Sequence, residues 1–231
     1  MFAHLLVLLS VFTTHSNQTF HTQCAVEVNA PAAVADEVIE QLIYDFQYDF
    51  EHLFDWAFLD LGKQNNDDRD ALLLASRAIV YNPEKEYGRI TVDVIIPGFI
   101  TIPGILVEGI IRDERGDCIC DTCLNANSLP INYIPHYSRR MYIEANRTGG
   151  IFEKAYGNLY VIPRDSLHSV YVMDINMRFE WFLRIFVSKR VWRNTLQWRA
   201  INYLNNLKRA AEYPEFMQQQ PQRELNRGRD E

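Results

Sequence analysis

Residues 176–213 have the sequence NMRFEWFLRIFVSKRVWRNTLQWRAINYLNNLKRAAEY, which contains no Pro or Gly and carries apolar residues at helical spacing. Ser188 suits an N-cap. From there, apolar side chains recur every three to four residues until Pro214 ends the pattern: Trp192, Leu196, Ala200, Tyr203 and Leu207. The segment therefore predicts a short lead-in followed by one long helix with an apolar face.

The remaining sides of this predicted helix are basic and partly apolar. Arg199 falls near the apolar face, whereas Trp198 and Ile201 fall away from it. Four further basic residues lie mostly off that face: Arg190, Arg193, Lys208 and Arg209. Because large apolar groups point to more than one side, a broad surface has to cover the helix.

The segment between residues 71 and 175 predicts that surface. Six stretches have strand character: 72–81, 89–96, 105–112, 139–145, 155–162 and 168–175. Short turn signals separate most of them, which favours antiparallel pairing because parallel neighbours need long crossovers. Residues 20–29 predict another strand, and residues 33–61 predict an acidic helix, or two helices with a bend near Tyr48. We therefore predict an α+β fold in which a curved antiparallel β-sheet wraps around a long C-terminal α-helix.

Length and charge limit the classes of function. A chain of 231 residues with 48% hydrophobic content suits one domain with a proper core, and a net charge of -7 argues against a nucleic-acid partner. Residues 36–70 hold eleven acidic side chains, whereas residues 178–209 hold eight basic ones. We interpret these as solvated helix faces that partly neutralise each other. The alternative is a membrane-surface module, which requires exposed Trp and Arg side chains in residues 179–193.

Residues 1–16, MFAHLLVLLSVFTTHS, contain an apolar run at 5–12 that is too short to span a bilayer. The run resembles the central region of a secretory signal peptide, although no Lys or Arg precedes it and no small-x-small pattern ends it. We predict that residues 1–16 are a signal peptide and that the protein is exported; a cytoplasmic protein with a buried N-terminal segment is the alternative. The polar, Gln-rich residues 214–231 predict a disordered tail.

Two segments resemble the START-like or SRPBCC superfamily, which includes Bet v 1-type and polyketide cyclase-like proteins. They are CAVEVNAPAAVADEVIEQL at residues 24–42 and RNTLQWRAINYLNNLKRAAE at residues 193–212. The resemblance covers about residues 20–213 of a predicted domain at 17–213, with a Cys-containing loop insertion at 113–136 as a departure. It implies a helix-grip fold whose cavity, between sheet and terminal helix, holds a lipid or another hydrophobic small molecule.

The residue pattern by itself leads to a compatible expectation. A long amphipathic helix laid across a concave sheet leaves an apolar hollow wherever side chains do not fill it, and such hollows are the usual ligand sites. Trp192, Leu196 and Tyr203 are the first candidates for the lining; the alternative is that they are packed core. We predict non-enzymatic binding or transport of the ligand. The alternative is a cyclase- or hydrolase-like enzyme, in which ionisable groups would converge on the cavity.

The four cysteines are candidates for a disulfide that pins the loop: Cys24, Cys118, Cys120 and Cys123. In an exported protein we expect one disulfide, whose partners the spacing leaves open; in a cytosolic protein free thiols are the default. The three loop cysteines with His136 have the right atoms for zinc, but C-x-C is not a usual zinc spacing. No metal is therefore predicted.

Signals for catalysis are weak. Asp49, His52 and Asp55 lie at nearby helical positions and have the chemistry for acid-base work, but a solvated helix face explains them as well. No G-x-S-x-G, H-E-x-x-H or Gly-rich phosphate loop occurs, so no catalytic residue and no cofactor is predicted. The polar strand residues Asp93, Asp174 and Asn176 are candidates for orienting a ligand, if their register turns them toward the cavity.

Overall fold

The computed structural model describes residues 10–16, 18–59, 73–82, 86–96, 100–116, 137–186 and 188–218. Its helices are α1 Ala32–Tyr48, α2 Phe50–Asp55, α3 Trp181–Phe186, α4 Lys189–Glu212 and α5 Glu215–Gln218. Its strands are β1 Ser10–Ser16, β2 Thr19–Val28, β3 Leu73–Asn82, β4 Tyr87–Ile96, β5 Ile100–Arg115, β6 Arg139–Arg147, β7 Phe152–Pro163 and β8 Ser169–Phe179.

The described strands form one antiparallel sheet in the order β1-β2-β8-β7-β6-β5-β4-β3. Register shifts interrupt the β3–β4, β4–β5, β5–β6 and β7–β8 ladders. Such bulges bend a strand and increase its twist, which curves the sheet. With α1 and α2 after the second strand and the long helix α4 after the last strand, packed on the sheet, the architecture is the predicted α+β helix-grip fold.

Helix α4 begins where the sequence predicts. The Ser188 side chain accepts a hydrogen bond from the backbone N–H of Val191, and Pro214 follows the last turn. The buried side of α4 includes Trp192, Ala200 and Leu207 from the predicted apolar face. The helix packs mainly along β2 and β1 and only lightly on β8. Space therefore remains between α4 and the strands beyond β2.

The acidic segment at residues 33–61 forms two helices, not one. Helix α1 ends at Tyr48, and Asp49 leaves the helical conformation, with a φ of -143° and a ψ of 67°. Its side chain accepts from the backbone N–H of His52 and so caps α2. This is the predicted bend near Tyr48. Helix α2 ends at Asp55, earlier than the predicted residue 61, and residues 60–72 lie outside the described part of the chain.

Strand β1 lies inside the segment predicted as a signal peptide. It pairs with β2 from Ser10 opposite Ala25 to Ser16 opposite Thr19, and α4 packs against it. Cleavage after residue 16 stays a prediction. Helix α5 falls within residues 214–231, for which the sequence predicted a disordered tail, and residues 113–115 of the predicted loop insertion belong to β5. Residues 117–136 and 219–231 are not described.

Candidate ligand cavity

A cavity of about 350 Å³ lies between α4 and the strands β6, β7 and β8. Its described lining is almost entirely apolar, and Ile143, which is 42% exposed, marks its open side. The lining residues are Phe58, Met141, Ile143, Ala145, Phe152, Ala155, Tyr156, Gly157, Asn158, Leu159, Met173, Ile175, Met177, Phe179, Trp192, Thr195, Leu196, Arg199, Ala200 and Tyr203.

The floor of the cavity follows from strand alternation. Successive side chains of a strand point to opposite faces, so alternate residues of paired strands line one face together. The register places them in three rows across the sheet: Met141–Leu159–Met173, Ile143–Gly157–Ile175 and Ala145–Ala155–Met177. A side chain at Gly157 would lie 2.8 Å from the carbonyl oxygen of Asp174, which favours glycine there. The middle of the floor therefore carries no side chain.

The roof of the cavity is α4, and it includes all three residues proposed from the sequence. Trp192 is 2% exposed and stacks on Phe179 with ring centroids 3.6 Å apart. Leu196 is half-buried, and the Tyr203 ring lies 5.8 Å from that of Phe58. The structure thus brings Trp192, Leu196 and Tyr203 to one surface. Their contact with a ligand stays a prediction.

The roof supplies three polar lining residues of the cavity, and Tyr156 and Asn158 of β7 supply two more. Thr195, Arg199 and Tyr203 follow each other at four-residue intervals and line the cavity together. Burial lowers the pKa of Arg199 to about 10, so its guanidinium remains charged at neutral pH, and burial raises the pKa of the Tyr203 hydroxyl. Among the described residues, Trp192 Nε1 has no hydrogen-bond acceptor.

The polar strand residues considered from the sequence lie on the opposite face of the sheet. Ile175 lines the cavity, so its neighbours Asp174 and Asn176 point away from it. Asp174 Oδ1 lies 2.7 Å from His21 Nε2, and Gln23 also donates to this carboxylate. Asp174 and Asn176 are therefore not ligand-orienting groups of this cavity. The side chain of Asp93 lies outside the described residues.

The structure separates the roles of the Asp49, His52 and Asp55 group: Asp49 is exposed and caps α2, whereas His52 turns toward a buried partner. His52 Nδ1 lies 2.7 Å from Oδ2 of the buried Asp45, and His52 Nε2 lies 2.7 Å from the carbonyl oxygen of Met217 in α5. Trp56 Nε1 also donates to Asp45 at 2.7 Å. The His52 imidazole therefore joins α1, α2 and α5. It is not among the residues that line the cavity.

Cys24, one of the four disulfide candidates, is not part of a disulfide. It is a free thiol in the core cluster under α1 and α4, and burial raises its pKa to about 12. A thiol in such surroundings is protonated and unreactive at neutral pH. The other candidates, Cys118, Cys120 and Cys123, and the residue considered with them as a zinc ligand, His136, lie outside the described residues.

Membrane-spanning helices and metal-binding clusters are both absent from the described part of the chain. No helix there combines the length and apolar character needed to cross a bilayer, and no group of three or more His, Cys, Asp and Glu side chains is placed to hold a metal ion.

Comparison with known proteins gives likenesses of structure only. No family model matches the chain, and no curated protein matches it. An aromatase/cyclase from a Streptomyces species is 12% identical, over 84% of this chain and 94% of that one, with a TM-score of 0.44. Norcoclaurine synthase from Thalictrum flavum, solved with dopamine and hydroxybenzaldehyde, is 12% identical over 87% and 94%, with a TM-score of 0.43. A protein from Thermus thermophilus is 11% identical over 83% and 96%, with a TM-score of 0.46. These likenesses concern the fold.

Proposed function

We propose that the protein binds a lipid or another hydrophobic small molecule in the cavity between α4 and the sheet, and carries it without chemical change. The observation that carries this proposal is a lining of aliphatic, aromatic and methionine side chains around about 350 Å³. Ligand sites in proteins are typically apolar clefts of roughly 300–1,000 Å³ with a few polar groups. The cavity lies in the lower part of this range and suits a small occupant.

The alternative is a cyclase- or hydrolase-like enzyme that uses the same cavity. General acid-base catalysis relies chiefly on His, Asp, Glu, Lys, Cys or Tyr side chains within hydrogen-bond reach of the reacting group. Of these types, the described lining contains only tyrosine, and Arg199 is its one charged side chain. The raised pKa of Tyr203 disfavours its ionisation. These features support binding over catalysis.

Native mass spectrometry of the protein purified from its natural host tests this proposal. We expect a population whose mass exceeds that of the chain by one small organic molecule, released on denaturation. The delipidated protein should then take up N-phenylnaphthylamine, a neutral apolar fluorophore, with saturation at one per chain. A protein that carries no such molecule and also fails to bind the fluorophore would contradict the proposal.

We further propose a peripheral contact with anionic membranes at the start of the C-terminal helical region. In α3, Trp181 is 63% and Ile185 is 67% exposed. The first two turns of α4 add three exposed basic residues: Lys189, Arg190 and Arg193. Exposed large apolar groups beside cations suit an interface with negatively charged lipid. Trp192 takes no part, because it is buried.

Sedimentation with lipid vesicles tests the membrane contact. We expect binding to vesicles that contain phosphatidylserine and little binding to pure phosphatidylcholine. Replacing both Trp181 and Ile185 with Ser should weaken binding by about tenfold, because it removes two insertable apolar groups. Leu167→Ser is the matched control, since Leu167 is 65% exposed at the opposite end of β8. Equal losses in both variants, or equal binding to both kinds of vesicle, would contradict the proposal.

A further inference from the structure

Arg199 gives the cavity a specific chemical character. It lies in the middle of α4, one turn after Thr195 and one turn before Tyr203, and all three line the cavity. Arg199 is the only charged residue in the described lining. The roof therefore presents one cation flanked by two hydroxyl groups, whereas the floor rows contain only aliphatic, methionine and glycine residues.

A guanidinium in these surroundings attracts anions strongly. The Coulomb attraction between opposite charges grows as water is excluded and the local dielectric constant falls. Arginine also presents a planar fork of N–H donors that matches carboxylate, sulfonate and phosphate oxygens. The described lining contains no Asp or Glu, so an anionic group that enters meets no repelling carboxylate there.

Further hydrogen-bond donors lie on the same side of α4 as Arg199. The hydroxyl groups of Thr195 and Tyr203 can each donate a hydrogen bond, and burial keeps the Tyr203 hydroxyl protonated by raising its pKa. Trp192 Nε1 lies two turns before Arg199 and is buried without an acceptor among the described residues. A buried donor without an acceptor is unfavourable, and an oxygen of a ligand would satisfy it.

We propose that the ligand is a hydrophobic anion, whose acidic head group lies against Arg199 on α4 and whose apolar body lies on the floor formed by β6, β7 and β8. This inference rests on the proposed binding function and adds the class of ligand. Carboxylate, sulfonate and phosphate head groups share the chemistry that Arg199 recognises, so the head group is defined by its negative charge and its oxygen acceptors.

A matched pair of fluorophores tests the inference. Anilinonaphthalene sulfonate has the ring system of N-phenylnaphthylamine with an added sulfonate, so the two differ in the anionic group alone. In fluorescence titrations of the wild type we expect the sulfonate to bind at least about tenfold more tightly, as a charge-assisted hydrogen bond allows. Arg199→Gln should abolish this preference and retain binding of the neutral fluorophore. Arg199→Lys, which keeps the charge, should retain part of it.

Arg209→Gln is the matched control variant. Arg209 lies on the same helix and its loss changes the net charge equally, but it is exposed and does not line the cavity. We expect the wild-type preference in this variant. Competition by decanoate and decanol against the neutral fluorophore extends the test to a carboxylate, with decanoate expected to compete better.

The outcomes separate the two proposals. If the wild type binds both fluorophores equally, or if Arg199→Gln and Arg209→Gln weaken the preference to the same extent, the anion inference is overturned while ligand binding stands. If the wild type binds neither fluorophore, the binding function fails and the inference falls with it. Retained binding of the neutral fluorophore by Arg199→Gln shows in the same titration that the variant is folded.

Discussion

Leu196→Trp is expected to abolish uptake of a neutral apolar fluorophore and to change the free energy of unfolding by less than about 1.5 kcal/mol. Leu196 is half-buried on the cavity side of α4, so a larger ring at this position would occupy the space of the ligand. Filling vacant volume avoids the steric strain of a closely packed site. Binding should be measured by fluorescence titration and stability by urea denaturation.

Leu204→Trp is the matched control for this experiment. Leu204 is on the same helix but is fully buried in the main core cluster and does not line the cavity. The same substitution should there cause overpacking that lowers stability by about 1–3 kcal/mol. If Leu196→Trp is destabilised as strongly as Leu204→Trp, the region beneath Leu196 is packed core. If Leu196→Trp is stable and still binds the fluorophore, the ligand lies elsewhere.

Asp45→Ala is expected to lower the free energy of unfolding by about 3–5 kcal/mol. Asp45 is 1% exposed and interacts with three side chains: Gln41, His52 and Trp56. The variant leaves the buried Trp56 donor without its acceptor and removes the counter-charge of His52. Urea denaturation measures the loss. Asp49→Ala, which removes an exposed capping carboxylate close by, should cost only about 0.5–2 kcal/mol.

The same network predicts how stability depends on pH. Both ring nitrogens of His52 face acceptors, the Asp45 carboxylate and the Met217 carbonyl, and only the imidazolium form donates to both. Burial by itself would lower the pKa of His52, but the hydrogen bond to Met217 and the charge of Asp45 outweigh it, and the pKa is raised. This stabilisation is complete below the unfolded-state pKa of about 6.5 and is lost as pH rises through the higher folded-state pKa.

We therefore expect the wild-type melting temperature to fall more steeply than that of His52→Gln as pH rises above about 6.5. Asp45→Ala should also show the shallower dependence. Parallel curves for the wild type and His52→Gln would mean that folding does not change the pKa of His52, and a wild-type curve that rises relative to His52→Gln would mean that His52 is neutral in the folded protein. Equal stability of Asp45→Ala and Asp49→Ala would mean that the buried network contributes little.

The roof of the cavity was predictable because its signals are local. The Ser188 cap, the three-to-four-residue spacing and Pro214 define α4 without knowledge of any other element. A helix buries the side chains of one face together, so Trp192, Leu196 and Tyr203 could be grouped before the sheet was known. Arg199 also lies near the predicted apolar face of α4. Helical spacing, however, does not distinguish a charged side chain that points into a cavity from one that lies at the edge of the cavity.

The floor was not predictable, because its residues depend on pairing between strands. A shift of one residue in register moves every side chain of a strand to the other face. Asp174 and Ile175 are neighbours in sequence, and only the pairing of β8 with β7 determines which of them faces the cavity. The six predicted strands were found, but their bounds differed, and β1 was missed because residues 1–16 were interpreted as a signal peptide.

The role of His52 was missed for a related reason. Helical spacing grouped it with Asp49 and Asp55, whereas its partners are Asp45, on the other side of the break at Asp49, and Met217, which is 165 residues away in sequence. The break changes the direction of the chain, so the spacing rule for one continuous helix no longer applies. A contact with α5 has no local signal at all.

The floor of the cavity holds three of the five methionines of the chain: Met141, Met173 and Met177. Methionine is unbranched and polarisable, and it changes rotamer and fills irregular gaps more readily than branched residues do. The shape of the empty cavity is therefore not the shape that every occupant must have, because these thioethers can repack around molecules of different outline. The methionines of the sheet would accept apolar groups of different shapes, whereas Arg199 on the helix would require a negative charge. The protein would then select its ligands by the head group and accept varied apolar bodies.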